Sequence, residues 1–366
     1  MLDRGEHGGG ARLKALVDAV ARIGLTLAIG IAGAFLARSL AIPLPYLLGP
    51  LLACGIAAMA GAPLRAVPYG REIGQVVVGL AIGLRFIPAV VLTVAKLLPF
   101  MALAIVLMIF VSMLAAIILR RLAGIDSRTA FFATAAAGVV EMAVVAHQKK
   151  ADGDIVAVVH LIRVTAIVTT VPFLVTIFGA DGGIQPVLVP LAGEIWPLLA
   201  LFLASTAAAF WVRRLRLPNT WLLVPAIIAA VVAGLDLGPF SIPPLALTIA
   251  QIVIGCWLGC RFRRSLLGRL SQVTVSALVV TAFLLAAAAG LATLLSYATG
   301  LPFVTSLLAL APAGVTEMVL TATAMHLDST IVTAFQITRI AVVMTTILFA
   351  LRIFEALSRR LGASSD

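Results

Sequence analysis

Apolar runs of close to 20 residues recur from one end of this chain to the other, with only short polar gaps between them. Twelve such segments can be drawn. Six lie at 22–40, 43–60, 72–86, 90–119, 128–148 and 154–178, and six at 193–212, 218–235, 244–262, 272–298, 303–326 and 329–352. A helix of about 20 residues spans the roughly 30 Å hydrocarbon core of a bilayer. A soluble domain carries roughly 25% charged residues; here the share is 11%, with 62% hydrophobic residues. That is too little polar surface to cover a water-soluble fold of this size. In lipid every backbone N–H and C=O must be satisfied within the protein, which leaves helices or closed barrels. Runs this long are helical, so the expected class is an all-α polytopic membrane protein.

The two sets of six are copies. Gln75, Gly79, Gly83, Arg85 and Phe86 recur as Gln251, Gly255, Gly259, Arg261 and Phe262. Pro43 and Pro50 recur as Pro218 and Pro225, Gly124 as Gly300, and Arg163, Thr169 and Thr170 as Arg339, Thr345 and Thr346. Most of these pairs are 176 residues apart. Chance similarity between apolar stretches would not keep polar residues in step. The expected organisation is an N-terminal tail (1–22), a first membrane repeat (23–178), a Gly-rich loop without Lys or Arg (179–192), a second repeat (193–352) and a C-terminal tail (353–366). The stretch from Ile23 to Ala37 has the look of a signal peptide, but no small-x-small cleavage site ends it, so it reads as an uncleaved first span.

Counting charges fixes the expected topology. If all twelve segments cross, the Lys and Arg residues of the gaps split twelve and twelve, which is no bias. If the fifth segment of each copy enters and leaves on one side, 21 fall inside and three outside (Arg38, Arg85 and Lys96), with Arg163 and Arg339 within the membrane. The positive-inside rule selects the second arrangement. It gives two inverted-topology repeats, each of about five transmembrane helices plus one re-entrant or broken helix, with both termini cytoplasmic. Inverted repeats with discontinuous helices are a recurrent plan among secondary transporters.

The fifth segments carry the most specific motif. Gly138-Val139-Val140-Glu141-Met142 recurs as Gly314-Val315-Thr316-Glu317-Met318, after Ala-rich stretches that include Pro312. A carboxylate at membrane depth costs about 2.5–3.5 kcal/mol on insertion scales, so it is turned inward and has a task. Glu141 and Glu317 read as a proton, cation or substrate site, against the plainer reading of a structural ion pair. Arg163 and Arg339 lie too deep in their segments to snorkel. They suit either an anionic substrate or an Arg–Glu lock, the lock being the simpler. His160 and Gln336 sit one turn earlier on the same helix face, and His160 reads first as a hydrogen-bonded structural histidine. Gln75 and Gln251 precede glycines at four-residue spacing, a pattern that lets helices approach closely; packing is the main reading, with the glutamine side chains as candidate substrate or ion ligands lining a central cavity as the alternative. Thr169, Thr170, Thr345 and Thr346 read as bonded to their own helix backbone. Cys54, Cys256 and Cys260 read as small apolar packers.

Other classes lack their signatures. There is no P-loop, no G-x-S-x-G, no H-E-x-x-H and no cluster of metal ligands. No enzyme activity, cofactor or bound metal is expected. The net charge of +11 lies in the gaps between spans and not in a DNA-binding module, so nucleic acid is not an expected partner. The expected partners are the lipid bilayer, an unidentified small molecule or ion and, as an open option, a second copy in a homodimer.

On the paired Gly-Val-x-Glu-Met elements and the Gln75/Gln251 and Arg163/Arg339 segments, the chain resembles the duplicated AbrB-type integral membrane proteins of bacteria, from about residue 20 to 355. The resemblance implies a multi-pass protein of the bacterial inner membrane. Members are often labelled ammonia monooxygenase, transcriptional regulator or transporter. The first label finds no metal site here and the second no DNA-binding module. More loosely, the inverted plan looks like the antiporter and bile-acid-symporter type of fold. The expected function is secondary transport of a small polar or ionic solute, proton- or sodium-coupled through the paired glutamates. The alternative is a ligand-sensing membrane protein with an indirect part in regulation of gene expression.

Overall fold

The computed structural model describes residues 6–86, 88–177, 195–215, 219–235, 241–262 and 271–360. The twelve apolar segments become fourteen α-helices among these residues, because the fifth segment of each copy breaks in two. In chain order they are α1 (Glu6–Ser39), α2 (Pro45–Met59), α3 (Gly70–Gly83), α4 (Pro88–Ala123), α5 (Ser127–Thr134), α6 (Val139–Gln148) and α7 (Gly153–Ile177). There follow α8 (Ile195–Val212), α9 (Thr220–Gly234), α10 (Pro244–Gly259), α11 (Ser271–Thr299), α12 (Phe303–Leu310), α13 (Val315–Ala324) and α14 (Ser329–Arg360). The all-helical, polytopic class is as the sequence demands. Six helices contain stretches long and apolar enough to cross a bilayer: α1, α4, α7, α8, α11 and α14.

Two features differ from expectation. Helix α1 already starts at Glu6, so the polar tail from there to residue 22 is helical and continuous with the first span. The second and third segments of each copy are shorter than a full crossing. Helices α2, α3, α9 and α10 have 15, 14, 15 and 16 residues, about 21–24 Å at 1.5 Å per residue. Their ends are fixed by backbone chemistry. Leu44 and Asn219, before α2 and α9, both adopt left-handed conformations (φ 49° in each), and Gly61 turns the chain after α2 at φ +95°.

Residues related by 176 positions share backbone conformations. Gly124 and Gly300 end α4 and α11 at φ +65° and +73°, a region glycine enters without steric cost. Lys150 and His326 follow α6 and α13 at φ 61° and 54°. Asp152 and Asp328 cap α7 and α14: Asp152 Oδ1 accepts from the backbone N–H groups of Asp154 and Ile155 (2.9 and 3.0 Å), and Asp328 Oδ1 from those of Thr330 and Ile331 (3.0 and 3.1 Å).

The chain divides into two compact units, Met1–Gln75 with Pro243–Gly268, and Val76–Ile242 with Arg269–Asp366. In the first, α1, α2 and α10 pack backbone to backbone. A Cβ on Gly33 would meet Gly49 O at 2.6 Å, one on Gly255 would meet Leu47 O at 2.5 Å, and one on Gly259 would meet Leu51 O at 2.7 Å. The thiols of Cys54 and Cys256 converge on Thr26 O (3.5 and 3.8 Å), so these cysteines are buried packers, as read. In the second unit, α3 presents Gly79 and Gly83 to α9, where a Cβ would collide with the carbonyl oxygens of Leu222 and Ala226. The expected close packing at both glycine pairs is therefore present. The rest of this unit is a bundle of α4, α7, α11 and α14 around the two broken segments. Its core includes Met101, Ala288, Ala292, Leu307, Leu310 and Phe335.

Candidate functional site

Each broken segment is a helical hairpin. The backbone N–H of Asp152, at the start of α7, donates to Thr129 Oγ1 in the first turn of α5 (2.9 Å), and Arg128 Nη1 donates to Lys149 O just past α6 (3.4 Å). The segment thus returns to the end from which it entered. In the second copy the register shows the same thing. Gln336 Nε2 donates to Leu308 O (2.8 Å), and three residues further along α14, Arg339 Nη1 donates to Ala311 O (2.7 Å), three residues further along α12. Helix α12 therefore runs parallel to α14, while α13 leads into α14 through a short turn and runs against it. Each fifth segment is thus a broken helix folded back on itself, one of the two forms expected of it.

The hairpins enter from opposite ends of α14. Arg128, at the mouth of α5–α6, pairs with Glu355 near the end of α14 (2.8 Å), and the Phe131 and Phe354 rings lie 5.3 Å apart. Phe303 and Leu307, at the mouth of α12–α13, share a core cluster with Ile331 and Phe335 at the start of α14. Both breaks lie alongside mid-α14: Ala311 is held by Arg339, and Ala135 and Ala136 line a small apolar cleft with Val343, Thr346 and Ile347. Positions 339 and 343 are about 6 Å apart in helix rise.

Propensity alone does not explain the breaks. Alanine is the best helix former, yet α5 ends at Ala135 (φ −54°, ψ 134°) and α6 starts only after Gly138 (φ −67°, ψ 143°). The second break repeats this at Ala311 (φ −54°, ψ 126°) and Gly314 (φ −69°, ψ 141°). What holds them open is the arginines. A helix end leaves carbonyls without partners and carries partial negative charge. Arg163, 2% exposed, donates through Nη1 to Thr134 O and Ala135 O (3.0 and 3.1 Å). Arg339, 3% exposed, donates to Ala311 O and, through Nη2, to Ala313 O (3.1 Å). Gln336 adds a second donor to Ala311 O (3.2 Å). The buried cations thus cap the first half-helix of each hairpin.

The carboxylate serves the other half-helix. Glu317, 5% exposed, is the third residue of α13, and its carboxylate lies back over Gly314, so closely that a Cβ there would collide with it. That places negative charge at the positive end of the α13 dipole and gives the space reason for glycine at 314. Glu141 holds the matching place in α6, after Gly138; its side chain lies outside the described residues. Among the described residues neither Arg163 nor Arg339 is in an ion pair, and both grip backbone carbonyls; a lock through the Glu141 side chain lies outside the described residues. The two arginines are near enough for their charges to repel.

His160 Nδ1 shares a hydrogen bond with Val156 O (3.0 Å), as a structural histidine would, while its Nε2 is buried without a partner among the described residues. Thr345 and Thr346 bond their own helix backbone, as expected, but Thr169 Oγ1 is buried without a partner. The structure gathers Glu317, Arg163, Arg339, Gly138, Gly314, His160 and Gln336 in one unit. Gln75, buried, and Gln251, half-buried, belong to the other. Sequence reasoning did not single out the carbonyls of residues 134–135 and 311–313; a deep arginine at constant spacing from a helix break was the available signal.

Comparison with known proteins now bears on this arrangement. The family model described as transition state regulatory protein AbrB matches residues 46–355. The chain belongs to the AbrB family. Among AbrB-like relatives, it is 28% identical over 349 residues to "Uncharacterized protein YhjN" of Bacillus subtilis (strain 168), covering 87% of this chain and 89% of that one. It is 25% identical over 333 residues to "Putative regulator AbrB" of Escherichia coli (strain K12), covering 88% and 92%. No solved structure matches.

Proposed function

We propose that this AbrB-family chain is a secondary transporter of a small polar or ionic solute, built from two inverted repeats of the inner membrane. The observation that carries the reading is the pair of broken, folded-back segments that enter from opposite ends of α14, each with its break alongside mid-α14. Irregular backbone at membrane depth is tolerated where it is buried in protein or lines a cavity, and discontinuous helices form the midplane sites of many transporters. The charges support the same orientation. Arg128 and Lys149, inside by the charge count, lie at the Glu355 end of α14; Arg85, outside by that count, donates to Ser329 Oγ at its first residue (3.2 Å). In this reading both termini are cytoplasmic, Glu141 and Glu317 take the coupling proton or cation, the chain catalyses no reaction, and a homodimer is compatible with it.

The test is solute flux in proteoliposomes under imposed proton and sodium gradients. Glu317→Gln is expected to abolish ion-driven flux while leaving solute exchange. Ion-driven flux that survives both Glu141→Gln and Glu317→Gln would falsify the coupling role. A second reading draws on the printed name of the Escherichia coli relative, a regulator: a membrane sensor that binds its ligand without moving it. Saturable binding with no flux in either direction selects that reading.

A further inference from the structure

We infer that Arg163 is the docking point for a small oxyanion, a carboxylate or phosphate group, at the break of the first hairpin. The inference rests on the proposal that the tips form the solute site, and it assigns the chemical class of that solute.

The two arginines are related by 176 residues but are not used alike. Arg339 commits Nη1 to Ala311 O and Nη2 to Ala313 O. Arg163 makes both of its described bonds through Nη1 alone, to Thr134 O and Ala135 O. The Nε of both arginines is buried without a partner among the described residues, but only Arg163 also leaves its Nη2 without a bond there. The Nε–Nη2 side of a guanidinium is a parallel pair of donors that fits the two oxygens of a carboxylate or phosphate. A cation 2% exposed, with that edge unused, calls for an acceptor that also carries negative charge.

The surroundings point to the same class. The Glu317 carboxylate is turned onto the N-terminus of its own half-helix at Gly314 and forms no ion pair with either arginine. The nearby backbone is the break at 135–138, and Ala135 and Ala136 line a small apolar cleft beside it. Gln336, one turn before Arg339, supplies a polar group: its Oε1 is buried without a partner among the described residues, which suits orienting the rest of a polar solute.

The competing use of the open edge is an ion pair with Glu141. The experiment separates the two. The purified full-length chain in detergent is titrated with acetate, succinate and inorganic phosphate, and in parallel with tetramethylammonium and glycerol, reading the unfolding temperature. At least one anion is expected to raise it saturably, and Arg163→Lys to weaken that response at least tenfold in apparent affinity while the protein stays monodisperse. The wild-type panel carries the test if the Lys variant does not fold. Stabilisation by tetramethylammonium or glycerol alone, or an anion response unchanged in Arg163→Lys, overturns the assignment. So does a panel with no response together with loss of stability in Glu141→Gln, which gives the edge to Glu141. Saturable anion binding without flux in proteoliposomes would remove the transport reading and leave the anion site standing. Flux of a cation or neutral solute would do the reverse.

Discussion

Arg339→Met tests whether the second hairpin is held by a fork or by a charge. The substitution removes two charge-assisted hydrogen bonds, at 2.7 and 3.1 Å, to Ala311 O and Ala313 O. Bonds of this kind contribute about 1.5–3 kcal/mol each. Ala311 O keeps Gln336 as a donor at 3.2 Å, so Ala313 O is the group left without one. Against that loss, methionine spares the protein a cation 3% exposed at membrane depth, a relief of about 2.5–3.5 kcal/mol on insertion scales. The net is a modest destabilisation of about 1–3 kcal/mol. Arg339→Lys keeps the buried charge and has no planar fork to span both carbonyls, so it loses about one bond with no relief. Lysine is therefore expected to be no better than methionine, a result that a simple charge argument would not give. Reversible unfolding by SDS titration in mixed micelles reads the difference. Full recovery in Arg339→Lys, within about 0.5 kcal/mol of wild type, alongside a loss well above 3 kcal/mol in Arg339→Met would refute the fork argument.

Two further outcomes follow from the packing and the hairpins. Gly255→Ala places a methyl group against Leu47 O and Pro50, and Gly79→Ala does so against Leu222 O; each should destabilise by about 1–3 kcal/mol because backbone cannot rotate away as a side chain does. Gly290→Ala in α11 meets nothing within 4 Å and should stabilise by about 0.4–1 kcal/mol, so a thermal-shift series in which all three move the same way contradicts the close-contact account. In a cysteine-free background, cysteines at Lys149 and Glu355 are expected to react with a membrane-impermeant maleimide from one side and a cysteine at Tyr297 from the other; labelling of Lys149 and Tyr297 from the same side removes the hairpin topology.

The hairpins were legible in the sequence because two independent signals coincide there. The charge count needs the fifth segments to turn back, and those segments carry glycine and, in one copy, proline at the required place. The directions of the side chains were not legible. Spacing puts Arg163 and Glu141 in the same region, but the orphan carbonyls that attract a guanidinium exist only once the helix has broken. The break at Ala135 is itself a tertiary effect, in a run whose local preference is helical. The second helix was drawn too long, at 43–60 against Pro45–Met59, because apolar composition continues past both ends, where the left-handed backbone of Leu44 and Gly61 bounds the helix without any charged residue to mark it. The meeting of Cys54 and Cys256 at Thr26 could not be read from cysteines 202 positions apart.

The glycine contacts of α3 and α10 are exchanged between the copies. Gly79, from the first copy, seats on α9 of the second, and Gly255, from the second, seats on α2 of the first. Each compact unit is consequently assembled from stretches of both copies. A gene cut in the loop between residues 179 and 192 would yield two fragments, each missing the surface its own third helix needs. Expressed apart they should be degraded, and expressed together they should restore one another. An ancestor with a single copy would have met the same need by pairing with a twin.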